Sequence, residues 1–274
     1  MSRAIVLREP GPPEVLKVES VEVGAPAAGQ IRLRQTYVSV NFHDCYVRSG
    51  LYKTLPLPGI PGLEGVGVVE AVGPGVTAFR EGDRVAYFTG AYGGYAEARL
   101  IDANLPVRIP DDLDDRTIAA SWLRGLTAQM LAYSVFPIRA GQTVLIHAAA
   151  GGVGRLLSQL AHHLGATVIG TVGSTEKAEL ARQAGCDHTI LYRQENFVDR
   201  VREITAGRGV DVAYDSVGKD TFLKSLDCLA PFGLRASFGE LAPFAAAGTV
   251  PAEVSLKPAA AWRFIGNDKL RRID

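Results

Sequence analysis

The 274-residue chain is 47% hydrophobic, enough for a substantial core at a length where one domain commonly becomes two. Its 29 Lys and Arg balance its 29 Asp and Glu, so no net field draws it to nucleic acid or anionic lipid; small molecules, or a second copy of itself, are the expected partners. No apolar run approaches the roughly 18 residues that span a bilayer, MSRAIVLREP has no apolar signal core, and Cys45, Cys186 and Cys228 lack metal-site spacing, so a cytoplasmic protein with reduced thiols is expected.

From Met1 to about Arg124 the chain shows short alternating runs, AIVL, QIRLRQTYVSV, GVGVVEAV, DRVAYF and YAEARL, separated by Gly and Pro clusters. They read as a small barrel or sandwich over residues 1–125. From about Thr127 the rhythm changes to the strands TVLIHA, ATVIGTV, HTILY, VDVAYDSV and LRASF, with helical patterns such as Glu176 to Ala184 and Asn196 to Ile204 between them. That alternation predicts a doubly wound α/β domain with a parallel sheet over residues 126–240. Residues 241–274, rich in Ala and Pro, form a tail of weak periodicity with little assignable structure.

The second domain carries the most specific local pattern. TVLIHA is apolar and β-branched without a helical period, as in a strand buried on both faces. The turn Ala149-Ala150-Gly151-Gly152-Val153-Gly154 follows the dinucleotide fingerprint, with alanine in its first place. Val153, Leu156, Leu157, Leu160 and Leu164 then recur at helical steps, so the new helix packs one face on the sheet and aims its first amides at a pyrophosphate. Such turns also occur in sheets that bind nothing. The next strand ends at Gly173, roughly twenty residues past the fingerprint, where an acidic residue commonly holds the ribose 2′-hydroxyl of NAD. Gly173, Ser174 and Lys177 stand there instead; with no carboxylate at the strand end and a hydroxyl and an ammonium at hand, NADPH is favoured. Lys177 alone also reads as a solvated helix lysine.

Longer motifs appear in a consistent order: GPPEVLKVE, VNFHDCYVRSGLY, GLEGVGVVEAVGPGV, EGDRV, GGYAEARL, LRGLTAQ, HAAAGGVG, GTVGSTEKAELARQAGCDHTILYR and VAYDSVGKDTFLKSLDCLAPFG. On these the chain, from about residue 3 to 239, resembles the medium-chain dehydrogenases/reductases, and within them the zeta-crystallin-like NADPH:quinone oxidoreductases. The resemblance implies a GroES-like β-barrel catalytic domain followed by a Rossmann domain, with the nicotinamide in the cleft between them. Where zinc-dependent relatives carry a cysteine and a histidine ligand, Asn41 and Leu63 stand, so no metal is expected to polarise the acceptor. His43 and Glu64 remain as nominal ligands but read better as hydrogen-bonded structural residues.

The resemblance further implies that Asn41, Asp44, Tyr46 and Tyr52 face the nicotinamide and the substrate. The two tyrosines offer flat faces for a quinone ring and hydroxyls for its carbonyl oxygens, or simply pack the barrel rim; Asp44 is equally a turn-former. On the cofactor side it implies Asn41 and Thr127 near the nicotinamide, Ala150, Gly151, Gly152 and Val153 at the pyrophosphate, and Gly173, Ser174, Lys177 and Tyr192 around the 2′-phosphate. Ser216, Phe238 and Gly239 complete the set at strand ends. His147 reads as a core histidine, and His162 and His163 as solvated.

Relatives continue beyond Gly239 with a sixth sheet strand and a segment returning to the catalytic domain. The change of character at Glu240 therefore predicts an unpaired sheet edge and puts activity and the possible homodimer in question. The reading is a metal-independent NADPH:quinone reductase. Its alternatives are an NADPH-dependent enone or enoyl-thioester reductase and an impaired isoform that only binds NADPH, which turnover with a quinone would separate.

Overall fold

A computed structural model describes residues 1–238 and the backbone strand Ala261–Phe264. The chain divides into two compact units, Met1–Leu123 and Arg124–Asp274. Gly239 and most of the tail, residues 240–260 and 265–274, lie outside the described residues.

In the first unit β1 (Ser2–Leu7) and β2 (Leu16–Val21) form an antiparallel hairpin. A second sheet, antiparallel throughout, has the order β6 (Ala98–Asp102), β3 (Gln30–Val38), β4 (Glu64–Val72), β5 (Arg84–Phe88), β7 (Val107–Arg108). The alternation seen in the sequence sorts its faces. Ile31, Leu33, Val69, Val85, Tyr87 and Ile101 meet in one core cluster, whereas Val66 and Ala86 turn the other way toward Ile109, Ile118 and Ala119. Two helices interrupt the expected β pattern. One, α1 (Phe42–Ser49), ends at Gly50, whose φ of 79° is the left-handed conformation that closes a helix at little cost for glycine. The other, α2 (Asp115–Gln129), begins here, but its residues from Arg124 onward and the π-helical turn that follows, Met130–Val135, belong to the second unit.

The second unit holds a parallel sheet in the order β10 (His188–Leu191), β9 (Thr167–Val172), β8 (Thr143–Ile146), β11 (Val210–Asp215), β12 (Leu229–Ser237), β13 (Ala261–Phe264). This is the doubly wound order with its switch point between β8 and β11. Val144 and Ile146 of β8 belong to one core cluster and Leu145 to another, so the strand is covered on both faces, as its unbroken apolar run requires. Among the described residues four helices accompany the strands: α3 (Gly152–His163), α4 (Thr175–Gln183), α5 (Phe197–Ile204) and α6 (Phe222–Leu226). Val153, Leu156, Leu157, Leu160 and Leu164, the face read from the sequence for α3, all pack into the first cluster.

The expectation of an unpaired sheet edge is corrected. β13 pairs in parallel with β12, Leu234 with Ala261 through Ser237 with Phe264, so part of the tail supplies a strand although its periodicity is weak. Four backbone ladder positions on an existing strand edge need no amphipathic pattern.

Candidate functional site

The carboxyl edge of the parallel sheet gathers most of the expected cofactor residues. After β8 the chain turns through His147 and Ala148, whose φ is 52°, and enters α3 with Gly151 at its N-cap. No side chain caps that helix, so its first amides present their donors to whatever lies above the turn. Glycine is required here by close approach: a Cβ on Gly154 would lie 2.3 Å from the Ala148 carbonyl oxygen and 2.8 Å from the Ala149 Cα, and one on Gly151 would lie 3.0 Å from the same carbonyl. Around Gly152 the space is taken by Arg124, whose Cδ would be 2.6 Å from such a Cβ. Arg124 thus brings a guanidinium beside the turn, a cation that the sequence reading missed because it lies 28 positions upstream within LRGLTAQ.

At the end of β9, a Cβ on Gly173 would stand 3.0 Å from the Tyr192 hydroxyl, so Tyr192 reaches across the strand end while its ring stays half-exposed. Ser174 caps α4, its hydroxyl oxygen accepting the Lys177 amide at 3.3 Å, and the Lys177 side chain is exposed. Glu176, in the first turn of α4, takes a hydrogen bond from the Ser174 hydroxyl, and that bond holds its carboxyl below the usual range. A helix start favours an acidic residue, which is why the group is there.

Ser216 follows directly after β11 and Phe238 after β12, where the Phe238 amide donates to the Asp215 carbonyl at 3.0 Å. Thr127 lies in the last part of α2. His147 is buried and His162 and His163 are exposed, as read from the sequence.

In the first unit the four expected catalytic residues fall on or near α1. Asn41 precedes the helix and donates from Nδ2 to Glu64 Oε1 at 2.7 Å; the other Glu64 oxygen accepts the Leu123 amide at 2.8 Å. Glu64 is therefore committed to hydrogen bonds and is buried. Asp44 is buried too, its Oδ2 accepting the Asn41 amide at 2.8 Å and the Tyr95 hydroxyl at 2.7 Å. These bonds make it a helix-start brace, and burial followed by the Asp44 charge pushes the Tyr95 hydroxyl up. Tyr46 and Tyr52 sit with ring centroids 5.2 Å apart, and His43 lies edge-on to Tyr52 at 5.3 Å. The His43 Nε2 meets the Tyr92 hydroxyl at 3.0 Å, and Tyr92 also bonds Thr54; burial lowers the His43 pKa, with Asp44 opposing.

A zinc ion does not fit this donor set. Glu64 and His43 are already engaged, Asn41 and Leu63 are not zinc ligands of the usual kind, and among the described residues no three His, Cys, Asp or Glu side chains converge.

An antiparallel β domain followed by a doubly wound domain with a glycine turn at its switch point defines a medium-chain dehydrogenase/reductase. Residues 27–111 match the alcohol dehydrogenase GroES-like domain and residues 152–260 the zinc-binding dehydrogenase domain. The chain is 49% identical over 244 residues to 2-haloacrylate reductase of a Burkholderia species, covering 87% of this chain and 73% of that protein. It is 48% identical to the quinone oxidoreductase of Pseudomonas aeruginosa over 87% of this chain and 74% of that one. The crystal structure of Escherichia coli quinone oxidoreductase complexed with NADPH superposes with a TM-score of 0.91 at 38% identity, covering 96% of this chain and 81% of that one. The chain belongs to the zeta-crystallin-like quinone oxidoreductase family of these enzymes.

Proposed function

We propose that the protein is an NADPH-dependent quinone reductase working without a metal. The observation that carries this reading is the uncapped start of α3 beside the glycine turn, in a chain nearly half identical to quinone oxidoreductases. A close-approach cradle of Gly151 and Gly154, with Arg124 alongside, fits a pyrophosphate. When bound, NADPH supplies the hydride equivalent.

The chain's own residues then have distinct tasks. The α3 amides, together with the turn of Ala150, Gly151, Gly152 and Val153, hold the pyrophosphate. Lys177 offers an ammonium, Tyr192 and Ser174 offer hydroxyls, and Gly173 leaves room for the 2′-phosphate, while Glu176 opposes that charge. Ser216, Phe238 and Thr127 serve the nicotinamide end. Asn41 serves there also, oriented by Glu64, and Asp44 keeps α1 in place beneath the aromatic pair. Tyr46 and Tyr52 supply an apolar face for a flat quinone and hydroxyls to donate to its carbonyl oxygens. A quinone accepts electrons readily, so orientation matters more here than acid catalysis.

A second reading is favoured by the 2-haloacrylate reductase relative: the same residues would then orient an activated C=C bond. Purified chain consuming NADPH with 1,4-benzoquinone, compared with 2-chloroacrylate as acceptor, tests the two. Faster turnover with the quinone is expected, and turnover with the acrylate alone would overturn the quinone reading. We also propose a cytoplasmic setting, in keeping with the absence of any disulfide among Cys45, Cys186 and Cys228, and a homodimer, to be checked by light scattering. Among the described residues no helix is long and apolar enough to cross a membrane.

A further inference from the structure

Beneath the carboxyl edge of the parallel sheet runs a chain of buried polar side chains. The Ser225 hydroxyl donates to the Thr221 carbonyl at 2.6 Å, so its oxygen is the acceptor for His147 Nε2–H at 2.9 Å; His147 Nδ1 then accepts the Thr171 hydroxyl, also at 2.9 Å. The Thr221 hydroxyl in turn reaches both Asp215 oxygens, at 2.8 and 2.9 Å. Arg235 Nη2 donates to Asp215 Oδ2 at 2.5 Å, Nη1 donates to the Ser237 hydroxyl, and the guanidinium lies 3.6 Å over the Phe222 ring. Thr171, His147, Ser225, Asp215, Arg235 and Ser237 are all buried.

An ion pair hidden from water gives little net stability over apolar residues of the same size, and its value lies elsewhere when it fixes one geometry. Its location indicates which. Thr171 is next to last in β9, His147 follows β8, Asp215 ends β11 and Ser237 ends β12. Each strand continues within three residues into a segment assigned above to the cofactor: the turn after Ala148, Gly173 and Ser174, Ser216, and Phe238. The network thus holds the strands at the points where the ladder ends and the ligand-facing segments begin.

It has two dissimilar halves. The β8–β9 half is neutral, because burial lowers the His147 pKa to about 4. The β11–β12 half is charged. Asp215 Oδ1 also accepts the Val217 and Gly218 amides at 2.9 and 3.0 Å, which ties the turn carrying Ser216 to the same pair that holds Ser237. In a doubly wound sheet the strands on either side of the switch point serve the two nucleotide halves of a dinucleotide.

We infer that the buried Asp215–Arg235 pair is a positioning clamp for the nicotinamide half of the cofactor site, setting Ser216 and Phe238 without touching the ligand. The inference rests on the NADPH reading. It predicts a split that general loosening would not give, since the ion pair bonds the Ser216 turn and Ser237 directly, whereas His147 and Thr171, on the side serving the pyrophosphate and 2′-phosphate, join it only through Ser225 and Thr221.

The test compares, by calorimetry, binding of NADPH and of 2′-phospho-ADP-ribose, which lacks the nicotinamide, in the wild type, Arg235→Met and Arg235→Lys. Arg235→Met is expected to weaken NADPH about tenfold and to lower kcat at saturating NADPH, while the fragment stays within about twofold. Arg235→Lys, which keeps a cation on Asp215, is expected to recover part of the loss. Equal weakening of both ligands, or no change in either, overturns the clamp. If Arg235→Met does not fold, Ser237→Ala, which removes only the far hydroxyl, is put through the same comparison; a smaller loss confined to NADPH supports the clamp, and an equal loss for both ligands overturns it. A wild-type protein that binds neither ligand overturns the NADPH reading itself, a result distinct from loss of the split.

Discussion

On the proposed NADPH reading, Lys177 and Glu176 set the cofactor preference beyond the end of β9. Lys177→Ala is expected to weaken NADPH about ten- to hundredfold, the worth of one charge-assisted hydrogen bond, and to leave NADH nearly unchanged. Equal losses for both would remove Lys177 from the 2′-phosphate. Glu176→Gln removes a charge of the wrong sign beside Ser174 and should tighten NADPH while sparing NADH, read by the same titrations. In the first unit, Tyr52→Phe keeps the ring that packs on Tyr46 and deletes only the hydroxyl, so quinone turnover should fall while NADPH affinity holds; unaltered turnover would assign that hydroxyl no part. His147 gives a pH signature. Unfolded imidazole takes up its proton near 6.5, the buried one only near 4, so the unfolded state binds more protons between these values. Stability should therefore fall as pH drops through that window, by up to about 3 kcal/mol at its lower end, and His147→Gln should flatten the Tm profile. His43, also lowered by burial, adds in the same direction.

At the scale of elements, α3 and its turn were the most legible part of the chain. A spacing of glycines and a five-residue apolar face state both the helix and what it packs on, because the contacts are local or are made to a generic sheet surface. Gly154→Ala tests that element directly. Its new Cβ would meet backbone rather than a flexible side chain, so the helix must move off β8, at a cost of about 2 kcal/mol, with NADPH binding lost as well. An unchanged Tm in thermal unfolding would show that the approach is looser than this. The helices α1 and α2 were not legible among the β-type runs. In α1 only Val47 and Asp44 are buried, the second a polar brace, so no apolar stripe announces the helix. The buried network was equally hidden: His147 and Ser225 lie 78 positions apart, and nothing local distinguishes a threonine or serine that serves as a relay from one that caps a turn. Arg124 and Glu176 belong with these, one distant along the chain from the glycine turn and the other lying on the first turn of α4 rather than at the strand end.

For the whole molecule, the doubly wound parallel sheet was legible in a change of rhythm in the sequence, from period-two runs with glycine and proline breaks to strands alternating with helices. The sixth strand shows where that reasoning stops: β13 is held by a backbone ladder, which leaves little trace in side-chain pattern. The proposed chemistry places the cofactor residues mainly in Arg124–Asp274 and the aromatic residues Tyr46 and Tyr52 in Met1–Leu123. The most direct measurement is a titration of the purified 274-residue chain with NADPH and with NADH, followed by addition of a quinone while the reduced-nicotinamide absorbance is monitored. Preferential binding of NADPH and its consumption on adding quinone is the predicted result. Binding without consumption, or no preference between the two cofactors, would contradict the account.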